Sequence, residues 1–324
     1  MKTKTMIAAM TLAMMMAGHA QAQTKWNLAS GYPDGNFHTK NLVTFAEDVK
    51  KLSGGKLEIT IHANGSLFKV PEIKRAVQTG QVQAGELLMS NLENEAPILG
   101  LDTVPFLATS YDTAKKLYQA QKPLVEKKLD AEGMHLLYAV AWPAQGLYAN
   151  KPINTIDDMK GLKFRAYNPA TNRIAELVGA QPVTIQAAEL AAALATGTVN
   201  SFFSSPSTGR DTKVWESLKN FYDLQAWLPK NMVFISKDAW SKLDSASQKA
   251  INDAAAAAET RGWQMSVEEA ESAKQALIKG GMTVAPPSAA LSDGLKKIGA
   301  SLTDEWQKKA GSEGENAIKS YKNM

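Results

Sequence analysis

The sequence predicts an α/β protein with two similar lobes, on the basis of three observations. Strand-like and helix-like patterns alternate from Lys25 onward: a strand-like run that ends at Gly31 precedes a helical pattern over residues 38–52 and a strand-like pattern over residues 56–61. Strands separated by helices indicate βαβ units and sheets rich in parallel pairs. The other two observations are an internal repeat and a chain length that suits two domains of about 150 residues each.

The internal repeat lies at two predicted helix ends. The sequence Ala-Val-Gln-Thr-Gly-Gln-Val at residues 76–82 reappears as Ala-Leu-Ala-Thr-Gly-Thr-Val at residues 193–199. Each glycine suits a left-handed helix cap, and each copy precedes a strand-like run, at residues 86–90 and 201–205. A common helix-to-strand junction is the alternative. If the repeat is real, both lobes send a strand toward a shared cleft, and the loop at residues 31–38 is a candidate edge of that cleft.

A long helix is predicted from Ser245 to the glycine pair that begins at Gly280. This segment contains no proline, and its apolar residues recur at helical spacing, so the helix would be about 50 Å long. Such a length exceeds what one lobe needs, and we expect the helix to span both lobes, with Gly262 as a candidate bend. A dimeric coiled coil is disfavoured because the seam is poor in leucine and isoleucine. The predicted division gives residues 23–143 and 231–265 to lobe I, and residues 144–230 and 266–324 to lobe II.

The first 22 residues match a secretory signal peptide. A basic start at residues 1–4 precedes an apolar stretch at residues 6–17 and the small-residue step Ala-Gln-Ala at residues 20–22. The apolar stretch is shorter than the roughly 20 residues that a membrane-spanning helix needs. Cleavage would leave 302 of the 324 residues, beginning at Gln23. Because the chain has no cysteine, and hence no disulfide framework or lipid-attachment site, we expect a protein exported to a Gram-negative periplasm.

Composition and motifs argue against nucleic-acid binding and against catalysis. The formal net charge is +4, and the lysines are scattered among acidic residues, so no nucleic-acid partner is predicted. The histidines of the mature chain, His38, His62 and His135, are widely spaced. The sequence contains no H-E-x-x-H, G-x-S-x-G, P-loop or dinucleotide-binding motif. We therefore predict no enzyme, no cofactor and no metal, with a periplasmic hydrolase as an alternative.

Arg165 is the strongest candidate for ligand binding. It ends the strand-like run Gly-Leu-Lys-Phe-Arg, which breaks at Asn168 and Pro169, where a strand should stop and a loop begin. A guanidinium can hold a carboxylate through two parallel charge-assisted hydrogen bonds, which lysine cannot do. The position beyond a strand end therefore predicts a carboxylate receptor, while an arginine in a surface ion pair is the alternative.

Several segments together resemble one family. They are residues 99–106 (Leu-Gly-Leu-Asp-Thr-Val-Pro-Phe), residues 160–165 followed by Asn168, residues 179–182 (Gly-Ala-Gln-Pro), the run that ends at Val199, and the long helix. In this order and spacing the chain resembles the solute-binding subunits of tripartite ATP-independent periplasmic (TRAP) transporters, of the DctP type.

The resemblance implies a two-lobed periplasmic binding protein fold, with crossing strands and a long helix, that closes over a small organic acid. It also implies a monomer that delivers the acid to ion-driven TRAP permease subunits, and a ligand carboxylate paired with Arg165. A binding protein of an ATP-driven importer and a sensor remain alternatives.

The chain departs from the family at two places. Gln145 stands where many relatives carry a second basic residue, which makes a dicarboxylate or a sialic-acid-like ligand doubtful. Phe202, Phe203, Ser204 and Ser205 replace a more polar pattern, and we expect one of the two phenylalanines to line the site, with the serines as hydroxyl donors. The predicted ligand is a monocarboxylate with an apolar or aromatic body, such as a 2-oxo or 2-hydroxy acid.

The remaining candidates share a place near the presumed cleft. Trp227 can stack on a ligand or plug the hinge, Asn168 can bind a carboxylate or form a turn, and His38 can donate to a ligand or start a helix. The other predicted binding residues are Trp142, Gln225, Met89, Ser90 and Asn91.

Overall fold

The computed structural model describes residues 23–324, so the predicted signal peptide lies outside the described residues. The chain forms two mixed sheets with helices on their faces, which confirms the predicted two-lobed α/β fold. The strands of the first sheet are β1 (Thr24–Ser30), β2 (Leu57–His62), β3 (Ala84–Leu88), β4 (Met134–Ala141) and β10 (Lys230–Ser236). The strands of the second sheet are β5 (Gly146–Ala149), β6 (Lys163–Ala166), β7 (Gln181–Thr184), β8 (Ser201–Ser204), β9 (Asn220–Tyr222) and β11 (Thr283–Ala285).

Each sheet contains one antiparallel strand, which directly follows a segment that crosses from the other lobe. The strand orders are β2-β1-β3-β10-β4 and β11-β9-β5-β8-β6-β7. β10 pairs antiparallel with β3 and β4, and β5 pairs antiparallel with β8 and β9, whereas the other pairs are parallel. The chain crosses to the second sheet between β4 and β5 and returns between β9 and β10. These crossing strands explain why the sheets are mixed, although βαβ alternation alone predicts parallel pairs.

The helices cover both sheets and the outer surfaces of the lobes. The α-helices are α1 (Phe37–Leu52), α2 (Val70–Gln78), α3 (Tyr111–Ala131), α4 (Pro169–Leu177), α5 (Leu190–Ala195), α6 (Pro206–Asp211), α7 (Lys237–Ser241), α8 (Ser245–Lys279) and α9 (Ala289–Lys322). Short 3₁₀ turns lie at Met89–Leu92, Pro97–Thr103, Ile156–Met159, Ala187–Glu189 and Val214–Glu216. Within residues 23–324, no helix combines the length and the apolar character needed to cross a membrane.

The long helix α8 spans both lobes, as predicted. Its 35 residues would extend about 52 Å, and Asp244 caps its start by accepting a hydrogen bond from the Ser247 backbone N–H at 2.6 Å. Ile251 packs in the core of lobe I, and Leu277 packs in a core of lobe II. Gly262 permits the close approach of the helix to β4, because a Cβ there would lie 2.4 Å from Val140 Cγ2.

The last helix, α9, also contacts both lobes. Leu291 and Leu302 belong to a core of lobe II, whereas Trp306 and Ile318 pack in the core of lobe I. Gly311 interrupts the helix with a φ of 56°. The boundaries of the predicted lobes remain a prediction. The division assigned all of this helix to lobe II, whereas the second half of the helix packs its apolar side chains against lobe I.

Candidate functional site

A cavity that opens to solvent lies between the two lobes. It lies beyond the carboxyl ends of β1, β3, β6 and β8, which is where α/β sheets hold ligands. Lobe I contributes Tyr32 and Asn91 to its lining, lobe II contributes Arg165 and Ser204, and the crossing segment between β4 and β5 contributes Gln145. Closing the lobes would therefore surround a bound molecule from both sides.

Arg165 is a buried cation without a protein anion. It lies on β6, its side chain is 4% exposed, and no ion pair connects it to any carboxylate within residues 23–324. Its Nε donates to the carbonyl oxygen of Ile185 at 2.8 Å, and its guanidinium carbon lies 4.8 Å from the centre of the Tyr167 ring. Burial lowers the pKa of Arg165 to about 10, so it stays protonated at neutral pH. A charge held this way stabilises an anionic ligand.

The orientation of Arg165 is supported by a chain of hydrogen bonds behind it. Trp227 Nε1 donates to the Tyr167 hydroxyl at 3.1 Å, and that hydroxyl donates to Gln145 Oε1 at 3.3 Å. Gln145 Nε2 in turn donates to the carbonyl oxygen of Pro143 at 3.0 Å. Tyr167 and Gln145 line the cavity, whereas Trp227 is 1% exposed and lies behind Tyr167. Trp227 is thus a buried support, which fits the second of its two predicted roles, a hinge plug, rather than a residue that stacks on a ligand.

An aromatic wall forms the lobe I side of the cavity. The rings of Tyr32 and Trp142 have centroids 5.0 Å apart, and both residues line the cavity. Asn231 Oδ1 accepts hydrogen bonds from both, at 3.2 Å from the Tyr32 hydroxyl and 2.9 Å from Trp142 Nε1. Asn231 lies on β10, immediately after the second crossing segment. The crossing region therefore positions the aromatic wall as well as linking the lobes.

His38 lies behind this wall and does not reach the cavity. Its ring centroid is 4.4 Å from that of Trp142, and it is 2% exposed. Its Nδ1 lies 3.5 Å from Glu86 Oε1, while Glu86 Oε2 accepts from the Ser30 hydroxyl at 2.6 Å. Burial lowers the pKa of His38 and raises that of Glu86 to about 7. The predicted contact of His38 with a ligand is replaced by a buried polar pair in the core of lobe I.

Two side-chain hydrogen bonds join the lobes across the cleft. Asn168 caps α4 by accepting from the Thr171 backbone N–H, and its Nδ2 donates to the Ser90 hydroxyl at 2.9 Å. On the other side, Asn36 Nδ2 donates to Asp211 Oδ2 at 2.7 Å. Neither Asn168 nor Ser90 is among the residues that line the cavity, and the two bond to each other across the cleft. The structure therefore places these two predicted ligand contacts at a lobe-to-lobe contact.

Both phenylalanines of β8 are core residues, contrary to the expectation that one lines the site. Phe202 stacks on Tyr148 with a centroid distance of 4.6 Å, and Phe203 packs between Phe164 and Trp227, 5.8 and 5.4 Å away. Their exposures are 0% and 1%. Strand alternation does send them to opposite faces, but helices cover both faces of this sheet, so both side chains are buried.

Other predicted residues divide between the cavity, the core and the surface. Ser204 lines the cavity, whereas Ser205 caps α6 by accepting from the Thr208 backbone N–H at 3.2 Å. Met89 is fully buried in the core of lobe I. Gln225 is exposed, with a φ of 49°, and lies in the crossing segment away from the cavity. Ser205, Met89 and Gln225 therefore do not line the cavity, although the sequence predicted them as ligand contacts.

Some cavity residues escaped the sequence analysis, although the sequence contains signals for two of them. Tyr167 lies two positions after Arg165, and the period of two along a strand brings both to the same side. Tyr32 lies in the loop predicted as an edge of the cleft. Gln186 follows β7 and Thr208 lies on α6, and nothing local marks either of them. Asn231 does not line the cavity but acts through Tyr32 and Trp142.

Comparisons with known proteins agree with this architecture. The profile of DctP, described as bacterial extracellular solute-binding protein family 7, matches residues 28–309. DctP6 of Bordetella pertussis, an extracytoplasmic solute receptor binding pyroglutamic acid, is 55% identical, with a TM-score of 0.92 over 93% of this chain and 100% of that chain. A TRAP solute-binding protein from a marine metagenome, described as specific for pyroglutamate, is 44% identical, with a TM-score of 0.92 over 94% and 100%.

More distant relatives belong to the same class. The C4-dicarboxylate-binding periplasmic protein DctP of Rhodobacter capsulatus is 26% identical over 75% of this chain and 74% of its own length. These relatives are receptors rather than enzymes, in agreement with the prediction for this chain. The chain therefore belongs to the DctP family, the solute-binding proteins of TRAP transporters.

Proposed function

We propose that this protein is a periplasmic receptor that captures pyroglutamate by closure of its two lobes and delivers it to a TRAP permease. The observation on which the proposal depends is Arg165, a buried guanidinium in the inter-lobe cavity whose only hydrogen bond within residues 23–324 leaves from Nε. Its two terminal nitrogens are thereby left to hold a carboxylate in the bidentate geometry that arginine favours.

The charge of the cavity favours a monocarboxylate. Arg165 is the only charged side chain among the described residues that line it, and the neighbouring Gln145 is uncharged. A second buried carboxylate would therefore have no cationic partner and would cost several kcal/mol. A compact ligand with one carboxylate fits the charge best.

The side chains that line the cavity, together with the ligands of related proteins, narrow the range of candidate ligands further. Tyr32 and Trp142 offer ring surface to an apolar body, whereas Gln145 and Ser204 offer polar groups to its oxygen. Relatives that are 55%, 44% and 40% identical are described as binding pyroglutamate, a five-membered lactam with one carboxylate. Pyroglutamate has the single carboxylate that we expected, but its lactam ring is polar rather than apolar or aromatic. We favour it over the 2-oxo and 2-hydroxy acids because of these relatives.

Closure of the two lobes would complete the binding site and would distinguish the ligand-bound form from the empty form. The contacts Asn168–Ser90 and Asn36–Asp211 join the lobes on two sides of the cavity, and opening the cleft would break both. Closing empties the cavity of water, which strengthens the ion pair at Arg165. The closed form would then present a distinct surface to the permease.

Titration calorimetry on the ligand-free mature protein tests the proposal. The chain is unfolded in denaturant, dialysed and refolded to remove co-purified ligand, and then titrated with L-pyroglutamate, phenylpyruvate, phenyllactate, succinate and D-glucuronate. L-Proline is a control that keeps the five-membered ring and the carboxylate but has a charged amine instead of the neutral amide and no ring carbonyl. We expect pyroglutamate to bind tightest, and tighter binding of succinate, glucuronate or an aryl acid would contradict the proposal.

A further inference from the structure

We propose that Tyr32 is the specificity-determining residue that recognises a ligand N–H, and that Asn231 positions it by fixing the direction of its hydroxyl hydrogen. This inference rests on the proposed function, because it explains how the cavity would select a lactam over other compact carboxylates. Tyr32 lines the cavity together with Arg165. Asn231 is 1% exposed and acts through Tyr32 and Trp142.

The orientation of the Asn231 amide follows from Trp142. An indole Nε1–H is only a donor, so the Asn231 atom that it meets at 2.9 Å must be the oxygen. The same oxygen lies 3.2 Å from the Tyr32 hydroxyl. An amide oxygen only accepts, and the tyrosine must therefore direct its single hydroxyl hydrogen at Asn231.

As a consequence, the Tyr32 hydroxyl can act only as a hydrogen-bond acceptor toward a ligand. With its hydrogen committed to Asn231, the hydroxyl retains only lone pairs for any molecule in the cavity. The Trp142 N–H is committed as well, so the aromatic wall offers a ligand ring surface and one acceptor. A ligand that lacks a donor at this point would leave that acceptor desolvated and unpaired.

The opposite side of the cavity offers hydrogen-bond donors instead of an acceptor. Gln145 uses Oε1 to accept from Tyr167 and one Nε2 hydrogen to donate to Pro143, which leaves one amide hydrogen free. Together with Arg165, this side offers donors for a carboxylate and for a carbonyl oxygen. A lactam acid combines a carboxylate, a carbonyl oxygen and one N–H, which matches donors on one side and an acceptor on the other.

A matched pair of ligands isolates the Tyr32 contact. L-Pyroglutamate and (S)-5-oxotetrahydrofuran-2-carboxylate have the same ring, carbonyl group and carboxylate, but the ring N–H of the first is a ring oxygen in the second. We expect the wild-type protein to prefer the lactam by about 10- to 100-fold, because the lactone would set an oxygen against the Tyr32 oxygen. The measured quantity is the ratio of the two dissociation constants.

Two variants test the roles of Tyr32 and Asn231, and a third variant serves as the control. Tyr32→Phe removes the acceptor, and Asn231→Leu frees the hydroxyl to turn and donate, so both should reduce the ratio to about 3-fold or less. Tyr111→Phe removes a tyrosine hydroxyl that bonds to Ser266 away from the cavity and should keep the wild-type ratio. A merely structural role would weaken both ligands equally and leave the ratio unchanged.

Each outcome separates this inference from the proposed function. A wild-type protein that binds neither ligand would overturn both. Binding of pyroglutamate with a wild-type ratio near one, or a ratio unchanged in Tyr32→Phe, would overturn the inference and leave the function standing. If Asn231→Leu fails to fold, Tyr32→Phe decides the result, because it retains the ring.

Discussion

Replacing Arg165 with alanine is expected to weaken pyroglutamate binding by about 2–5 kcal/mol, because the ligand carboxylate would be buried without a partner. At about 1.4 kcal/mol per decade, this is roughly a 30-fold to several-thousand-fold loss of affinity. Lysine should recover only part of it, since an ammonium group cannot form the two parallel bonds. Titration calorimetry on folded protein measures the change.

A second arginine provides the control for this result. Arg173 is 43% exposed, bonds to Glu305 and Glu176, and does not line the inter-lobe cavity. Arg173→Ala should therefore keep an affinity close to that of the wild type. Near wild-type affinity in Arg165→Ala would instead show that Arg165 is structural, and the carboxylate site would have to lie elsewhere.

Replacing Asp102 with alanine is expected to lower the free energy of unfolding by about 3–5 kcal/mol, because it leaves the charge of Lys230 buried and unpaired. The Lys230 Nζ and Asp102 Oδ2 atoms are 3.3 Å apart, and both side chains are fully buried. The Lys230 backbone N–H also donates to Asp102 Oδ2 at 2.7 Å. Burial lowers the pKa of Lys230 and raises that of Asp102, and their attraction opposes both shifts.

Urea unfolding followed by circular dichroism measures this loss. Without its partner, Lys230 would have a pKa in the folded state below the value near 10.4 of the unfolded chain, so the loss should shrink as the pH rises toward that value. The double variant Asp102→Asn with Lys230→Met removes both charges and keeps an oxygen that can accept from the backbone N–H of residue 230, so it should regain most of the stability.

An exposed ion pair is the control for the stability experiment. Lys249 and Asp253 are 74% and 48% exposed, and Asp253→Ala should cost less than about 1 kcal/mol. An equally small cost in Asp102→Ala would show that Lys230 becomes neutral or solvated at little expense. The buried pair would then not stabilise the crossing segment.

The sequence predicts the scaffold because its signals are local and repeated. Alternating patterns indicate the strands and helices, and the proline-free segment that ends at Gly280 predicts α8 within one residue of its end. The antiparallel pairing of β5 and β10 could not be predicted this way. It depends on where the chain crosses between lobes, which is set by contacts distant in sequence.

The candidate site was predictable where one residue determines the chemistry. Arg165 is marked by charge, strand position and the break at Asn168, and the structure places it in the inter-lobe cavity. Phe202 and His38 lie close to the cavity in sequence and in space, yet they face the core. Which side of a wall a residue occupies depends on how both faces of the sheet are covered, and a single strand pattern does not contain that information.

The central claim is that the carboxylate of a small acid pairs with Arg165 in the cavity between the lobes. A crystal structure of the refolded protein with L-pyroglutamate tests it most directly. We expect the closed lobes to enclose the ligand, with its carboxylate oxygens about 2.7–2.9 Å from two Arg165 nitrogens. A ligand bound outside this cavity, or inside it with its carboxylate away from Arg165, would contradict the account.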